Sequence, residues 1–396
     1  SVSGDSMMVL PMRDHRDRVV GVLQFINRID PTEDLPVPFG EEIGELLRAV
    51  ASQAAVSIQK NILLSDINRL FESFVQASVK TIEQRDPTTS GHSFRVAQST
   101  VALLQALPLS GISRFRHLKP TAEQIREVRY AALLHDFGKI GVREHVLLKA
   151  NKLSDERLEI IRYRIELQKE RLRRQAVERE LDLLHHGVLD LEVARRRVHR
   201  ELASELALLD QYFDCIVSAN RPNQRGAGDF AHLETIRRYT FLDLDGDRSS
   251  LVTGEELMAL SVRKGSLTPE ERREIESHVV HTRDFLAVLP WPPELARVPE
   301  IAGAHHEKLD GSGYPLGLTG EEIPLPSRVM TVCDIYDALT AMDRPYKPAM
   351  SADVALEILH DEARRGLVDT DILKVFVESR IYQAATASLP RLVRAS

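Results

Sequence analysis

Apolar and polar positions change rhythm along the chain, and each change marks a different kind of element. MMVLPMRD (7–14) and RVVGVLQFINR (18–28) are β-branched and apolar runs separated by His15, Arg16 and Asp17. That composition predicts two strands closed as a hairpin. The Pro-rich stretch 31–39 predicts a loop. From Glu41 apolar residues recur three or four apart, at Ile43, Leu47, Val50, Ala54, Ile58 and Ile62. The spacing predicts a helix running to about Glu83, far longer than a normal globular helix. It reads as a connecting rod, single or in two end-to-end pieces, open to pairing with a second chain.

Beyond Pro87 the pattern is almost wholly helical. Residues 96–107, 122–134, 271–289 and 328–341 carry apolar stripes, broken by Pro and Gly clusters. Residues 156–210 have another texture, dense in Arg, Glu and Leu, which predicts one or two long solvated helices. KLSDERLEII (152–161) is echoed by SLTPEERREI (266–275), as though residues 152–265 were inserted after the first turns of a helix. The insertion ends in a weakly hydrophobic loop at 220–229 and a turn at Asp245-Gly246.

With 396 residues the chain has room for two or three domains with real cores. At 43% hydrophobic and 28% charged it has the composition of a soluble globular protein. A net charge of −7 implies no sequence-independent grip on a polynucleotide, while a small anionic substrate stays open. No apolar run approaches the ~18–20 residues of a membrane span, and no secretory signal pattern opens the chain. Cys215 and Cys333 stand in unrelated contexts, so a reducing cytoplasm is expected rather than a disulfide framework. Ser1 in place of an initiating Met reads as a piece of a longer protein.

Seven residues then change the picture: His92, His135, Asp136, His278, His305, His306 and Asp334. Several sit in long strings, AALLHDFGKIGV (131–142), HHEKLDGSGYP (305–315) and CDIYDALTAMDRPYK (333–347). Adjacent imidazole and carboxylate groups suit a divalent metal better than a core. His135 and Asp136 fall near a helix end, where neighbours diverge by ~100°, so both can splay around one ion or Asp136 can bridge to a second. Neutral imidazole with carboxylate oxygen suits Fe, Mn, Zn, Ni or Co better than Ca or Mg. Gly311 and Gly313 permit positive φ and close backbone approach, Tyr314 adds a ring face and a hydroxyl, and Pro315 stiffens the exit.

Taken together these strings resemble the HD-GYP subgroup of the HD phosphohydrolase superfamily, bacterial enzymes that hydrolyse cyclic di-GMP. The resemblance covers residues 80–150 and 266–380. GVLQFINR and ELLRAVASQAAVSIQKNILL resemble the end of a GAF sensory domain, over about sixty residues. A plain α/β cap on a helix is the competing reading of that segment. The fold implied is mainly α: a helical-bundle HD domain (86–396) with a helical insertion (152–265), behind a partial α/β GAF-like domain (1–60) and a connecting helix (61–85).

The resemblance implies His92, His135, Asp136 and Asp334 around one metal, and Asp136, His278, His305 and His306 around another, with Asp136 bridging. Such ions, Fe or Mn first, lower the pKa of a bridging water and stabilise charge on the phosphate oxygens. Lys139, Arg344 and Lys347 are the matching cations for substrate phosphates, with Lys139 near the scissile bond and serving the leaving oxygen. Tyr314 stacks on or hydrogen-bonds the nucleotide, and Asp86 and Asp337 bind substrate or orient ligands. Where some members carry a glutamate for a third metal this chain has Thr88, so two metals are expected. The insertion falls on the rim of the site, as a lid, dimer arm or docking surface. The implied product is linear pGpG, or GMP after further hydrolysis. A catalytically weak binding module, or an HD hydrolase of another cyclic dinucleotide or nucleotide, are the competing functions.

Other features are set aside. His281 reads as a surface or supporting residue, and His185-His186 as a solvated helix end. DLDGD (243–247) lacks the Gly and Glu of an EF-hand, having Arg248 and Gly254 instead, and reads as a turn before a helix capped at Thr253 and Glu256. Trp291 is a packing anchor, and the Arg run 195–197 a wet helix face.

Overall fold

The computed structural model describes residues 6–32, 34–86, 91–186, 190–222, 229–243, 246–341 and 349–383. The chain divides into two compact units, Ser1–Ser78 and Val79–Ser396, and the boundary falls inside one long helix.

In the first unit, β1 (Met7–Arg13) and β2 (Val19–Ile26) pair antiparallel, with Leu10 opposite Leu23. Short strands β3 (Arg28–Ile29) and β4 (Pro36–Val37) also pair, so the expected 31–39 loop contains a brief strand. Leu10, Met12, Val20 and Leu23 pack on Ala51, Ala54, Ala55 and Ile58 of helix α1 (Glu41–Arg85). Small alanines at 51 and 55 let the hairpin approach the helix backbone. The helix is one unbroken element of 45 residues rather than two pieces.

The second unit is helical. Its N-terminal part comprises α2 (His92–Ala106), α3 (Ala122–Leu134) and a short α4 (Glu144–Leu147). Then come α5 (Asp155–His185) and α6 (Leu191–Asn220), the long charged helices expected from the Arg/Glu/Leu texture. α7 (Asp229–Arg238), the hairpin β5 (Thr240–Leu242) and β6 (Arg248–Ser250), and α8 (Gly254–Leu260) complete the insertion. The chain returns through α9 (Pro269–Glu276), α10 (His278–Val288), α11 (Val298–Ala302), α12 (Leu325–Thr340), α13 (Ala352–Arg364) and α14 (Thr370–Glu378).

Local chemistry explains these starts. Thr121 with Gln124, Thr253 with Glu256 and Thr268 with Glu271 form reciprocal capping boxes at α3, α8 and α9. The apolar stripe at 271–289 is not one helix, because the chain turns at Ser277 and α10 starts afresh at His278. α2, α3, α10, α11 and α12 pack around Leu103, Leu133, Val279, Ile301 and Val332, all buried.

The insertion has a core of its own, built from Ile161 and Ile165 of α5, Leu209 and Ile216 of α6, Leu233 and Ile236 of α7, and Leu251 and Leu260. Its two ends meet. Lys149 ion-pairs with Glu271 at 2.7 Å, Ser266 donates to the Lys149 carbonyl at 2.8 Å, and the backbone amide of Lys152 donates to the Asn220 carbonyl at 3.0 Å. No helix among the described residues is long and apolar enough to cross a membrane.

Candidate metal centre

α3 delivers His135 as its last cap residue, and Asp136 follows where the chain tightens into a 3-10 turn, Phe137–Gly141. This turn lies directly against α10. A Cβ on Gly138 would sit 1.9 Å from the His278 carbonyl oxygen, so only glycine admits the approach. Buried Thr282 then links the two, accepting from the Gly138 amide at 2.8 Å and donating to the His135 carbonyl at 2.9 Å. Thr331 of α12 likewise donates to the His305 carbonyl at 2.7 Å. His92 opens α2, His278 opens α10, and Asp334 lies inside α12.

These elements bring all seven predicted ligands together. Ligand atoms of His92, His135 and Asp334 lie within 4.8 Å of one another, as do those of His278, His305 and His306, and those of His135, Asp136 and His305. Asp136 stands between the groups: one carboxylate oxygen is 3.3 Å from His278 Nε2, while the other is 3.4 Å from His135 Nε2 and 3.8 Å from His92 Nε2. Asp334 Oδ1 is 3.1 Å from His92 Nε2.

The imidazoles are oriented for ligation. His135 Nδ1 bonds the Ala132 carbonyl at 2.7 Å, His305 Nδ1 bonds the Ala302 carbonyl at 2.6 Å, and His278 Nδ1 bonds the Ile275 carbonyl. A carbonyl can only accept, so each ring carries its proton on Nδ1 and presents a bare Nε2. Those three Nε2 atoms are buried with no hydrogen-bond partner. Leaving such an acceptor unmatched is costly, and a cation is the partner that their convergence fits. His92 differs in bonding a carboxylate, with Nδ1 2.7 Å from Asp337 Oδ2. Asp337 is itself gripped by the Arg95 guanidinium at 2.7 and 2.9 Å.

Electrostatics follow from burial and from these pairs. Burial favours the neutral form of His135 and His305 and holds both below the ordinary imidazole value. It takes His306 down to about 4. His92 goes the other way: against burial, the Asp334 and Asp337 carboxylates raise it to about 9. Asp136 stays far below the usual carboxylate range although buried, because Lys139, His135 and His278 face it. The Lys139 ammonium lies 2.8 Å from Asp136 and 3.3 Å from Asp86, and these charges outweigh its burial and keep it protonated.

The 305–319 loop closes one side. The Glu307 carboxylate, buried, accepts from the amides of Leu316 at 2.7 Å and Leu318 at 3.0 Å. Gly311 has the expected positive φ of 79°. Gly313 serves differently, since a Cβ there would lie 2.3 Å from the Lys308 amide nitrogen. The Tyr314 amide bonds the His306 carbonyl, and its ring lies 4.9 Å from the His306 ring. Burial pushes its phenol above the ordinary value.

Asp86 is found beside Lys139, whereas Asp337 is engaged by His92 and Arg95. Arg344, Lys347 and Thr88 lie outside the described residues. His281 is exposed, 3.2 Å from Ser277 Oγ. His185 and His186 bond carbonyls of their own helix, and Trp291 Nε1 donates to the Leu286 carbonyl at 2.7 Å. Glu256 caps α8 with Thr253, as expected, and pairs with Arg164 at 2.7 Å. Sequence reasoning passed over Arg95, Thr282, Glu307 and Thr331. Only Arg95 had a readable signal, one helical turn after His92 on the same face.

Comparison with known proteins agrees with this geometry. Residues 249–372 match the HD domain and residues 3–58 the GAF domain. The chain thus carries sequence similar to an HD domain, with sequence similar to a GAF domain ahead of it. The HHEKLDGSGYP string (305–315) lies inside the HD match. The chain is 37% identical over 181 residues to the 3'3'-cGAMP-specific phosphodiesterase 3 of Vibrio cholerae, covering 41% of this chain and 38% of that protein. It is 54% identical over 66 residues to the cyclic di-GMP phosphodiesterase response regulator RpfG of Xanthomonas campestris, 17% of each. A cyclic di-GMP phosphodiesterase of Thermotoga maritima is 41% identical over 86 residues, 22% of this chain and 23% of the relative. The chain therefore spans well under half the length of these curated relatives.

Proposed function

We propose that the chain is a metal-dependent phosphodiesterase that opens cyclic di-GMP to linear pGpG, with GMP as a further product, under control of the GAF segment. The observation that carries this reading is Asp136, whose two carboxylate oxygens face separate histidine groups with bare, buried Nε2 atoms. His92, His135, Asp136 and Asp334 would hold one divalent ion, and Asp136, His278, His305 and His306 the other. Fe and Mn come first, with Zn, Ni and Co also suiting the mixed donor set.

When bound, such a pair supplies Lewis-acid stabilisation of phosphate oxygens and acidifies water. The protein's own groups do the rest. Lys139, held protonated by Asp136 and Asp86, offers a fixed positive charge to a phosphate and a proton donor to the departing oxygen. Asp337, clamped by Arg95, fixes the His92 ring. Tyr314 keeps its proton and offers a hydrogen bond and a ring face to a base. Arg344 and Lys347 are assigned to the phosphates on their motif alone.

The match over 181 residues to a protein named 3'3'-cGAMP-specific favours the mixed cyclic dinucleotide as a second reading. Both cysteines are free, which supports work in a reducing cytoplasm. In its assembly the protein pairs two chains through the connecting helix. Metal-loaded protein incubated with each cyclic dinucleotide, with products resolved by chromatography, tests the activity. A linear dinucleotide is the expected product, and no product from either substrate overturns the enzymatic reading. Elemental analysis of the same sample should give about two ions per chain, the count the two ligand groups allow.

A further inference from the structure

Helix α9 leads directly into the ligand His278, and six of its eight residues are charged. Four of these are engaged: Glu270 with Arg273 at 3.3 Å, Glu271 with Lys149 at 2.7 Å, and Glu274 with Arg143. Arg272 and Glu276 are left over. Among the described residues neither makes a hydrogen bond or an ion pair, although they stand one helical turn apart, a spacing at which opposite charges commonly pair. Arg272 is exposed and Glu276 half-buried.

Both charges act on Tyr314. Its hydroxyl feels, in falling order, Glu276, Asp334, Asp136 and Arg272. Asp334 and Asp136 belong to the ligand groups already described, and Glu276 acts more strongly than either. The Tyr314 ring lies 4.9 Å from the His306 ring, which lies 5.4 Å from that of His278, two residues beyond Glu276. Arg272 and Glu276 therefore stand at the margin of the histidine–aspartate cluster, on the side where Tyr314 offers its face. Chemistry narrows what they can meet there. An ionised carboxylate only accepts hydrogen bonds and repels phosphate oxygens, so Glu276 is suited to the donor edge of a base.

Resting on the cyclic-dinucleotide reading above, we propose that Glu276 and Arg272 select guanine for the base that lies on Tyr314. Guanine presents two neighbouring donors, N1–H and the N2 amine, followed by the acceptors O6 and N7. A carboxylate accepts from the first two side by side, and a guanidinium donates to the second two. Adenine breaks the match at both ends. Its bare N1 sets a lone pair against a carboxylate oxygen, and its N6 amine puts a donor where guanine has O6. Two unpaired, opposite charges one turn apart are thus the complement of guanine and a poor fit to adenine. The remaining charges of α9 are held by their own partners, which keeps them from competing for the base.

GMP and AMP test this without turnover, because neither contains a phosphodiester. Calorimetric titration of the metal-loaded full chain should show GMP binding roughly 10-fold or more tighter than AMP. Glu276→Ala and, separately, Arg272→Ala should weaken GMP roughly 10–100-fold and leave AMP within about twofold. Glu270→Gln, on the same helix but paired with Arg273, should change neither. Equal affinity of the parent for GMP and AMP overturns the proposal, a result that needs no variant to fold. Equal loss of both nucleotides in Glu276→Ala and Arg272→Ala, or the same loss of GMP in Glu270→Gln, also overturns it. So does a fall in ions per chain in Glu276→Ala by elemental analysis, which would make the residue a metal ligand. Preference for GMP with no hydrolysis of any cyclic dinucleotide would remove the phosphodiesterase reading and leave the guanine subsite standing. Hydrolysis without that preference would do the reverse.

Discussion

The chain carries two double histidines, and they have opposite fates. His305 is buried, its Nδ1 tied to a carbonyl and its Nε2 left bare among other ligands, with the His306 ring 4.0 Å away. His185 and His186 are exposed at the end of α5, each bonded to a carbonyl four residues back. As dipeptides they are indistinguishable. The difference lies in what the chain does next: 305–306 runs into a loop latched by Glu307 and a helix supplying Thr331, while 185–186 ends a charged arm. Charge and imidazole density do not make a site; convergence of buried, pre-oriented lone pairs does.

The sharpest way to break that contrast is to remove the shared carboxylate. Asp136→Ala should abolish metal loading and lower turnover by ~10³-fold or more, since several kcal/mol of transition-state stabilisation go with the ions. Hydrolysis near the parent rate would refute the bridging role. Next, His305→Ala should cost about one of the two ions by elemental analysis, whereas His185→Ala should stay within about twofold of the parent rate; equal effects would erase the distinction. Asp337→Asn keeps the shape but removes the charge between His92 and Arg95. Metal affinity by competition with a chelator should weaken ~10–100-fold, and an unchanged dissociation constant would leave that bond without a role. The smallest effect is expected for Thr282→Val. It leaves the Gly138 amide and the His135 carbonyl without their partner, so thermal unfolding should show a loss of about 1–3 kcal/mol. Unchanged stability would mean the two elements are held together some other way.

Much of the site was legible because its groups lie in contiguous strings. His135-Asp136 and His305-His306 announce themselves, and Thr253 with Glu256 marks the start of α8. Thr282 and Thr331 were not legible, because each acts through a partner distant in sequence, such as Gly138 for Thr282. A Thr in a helix looks the same whether it faces water or stitches two turns together. The break at Ser277 was hidden for a related reason: an apolar stripe registers which side faces inward, not whether the axis is straight. Periodicity likewise foretold long charged helices in the insertion but not its separate core, which assembles from α5 to α8 only in three dimensions.

The meeting of Lys149 with Glu271, and of Ser266 with the Lys149 carbonyl, gives the insertion a single doorway. Everything between leaves and re-enters the bundle where these contacts lie, so the bundle does not register how much chain lies outside. Growth there costs little in closure entropy, because that term rises only slowly with length. A lineage could lengthen, exchange or discard the whole annex in one genetic step while the histidine–aspartate cluster kept the same wiring.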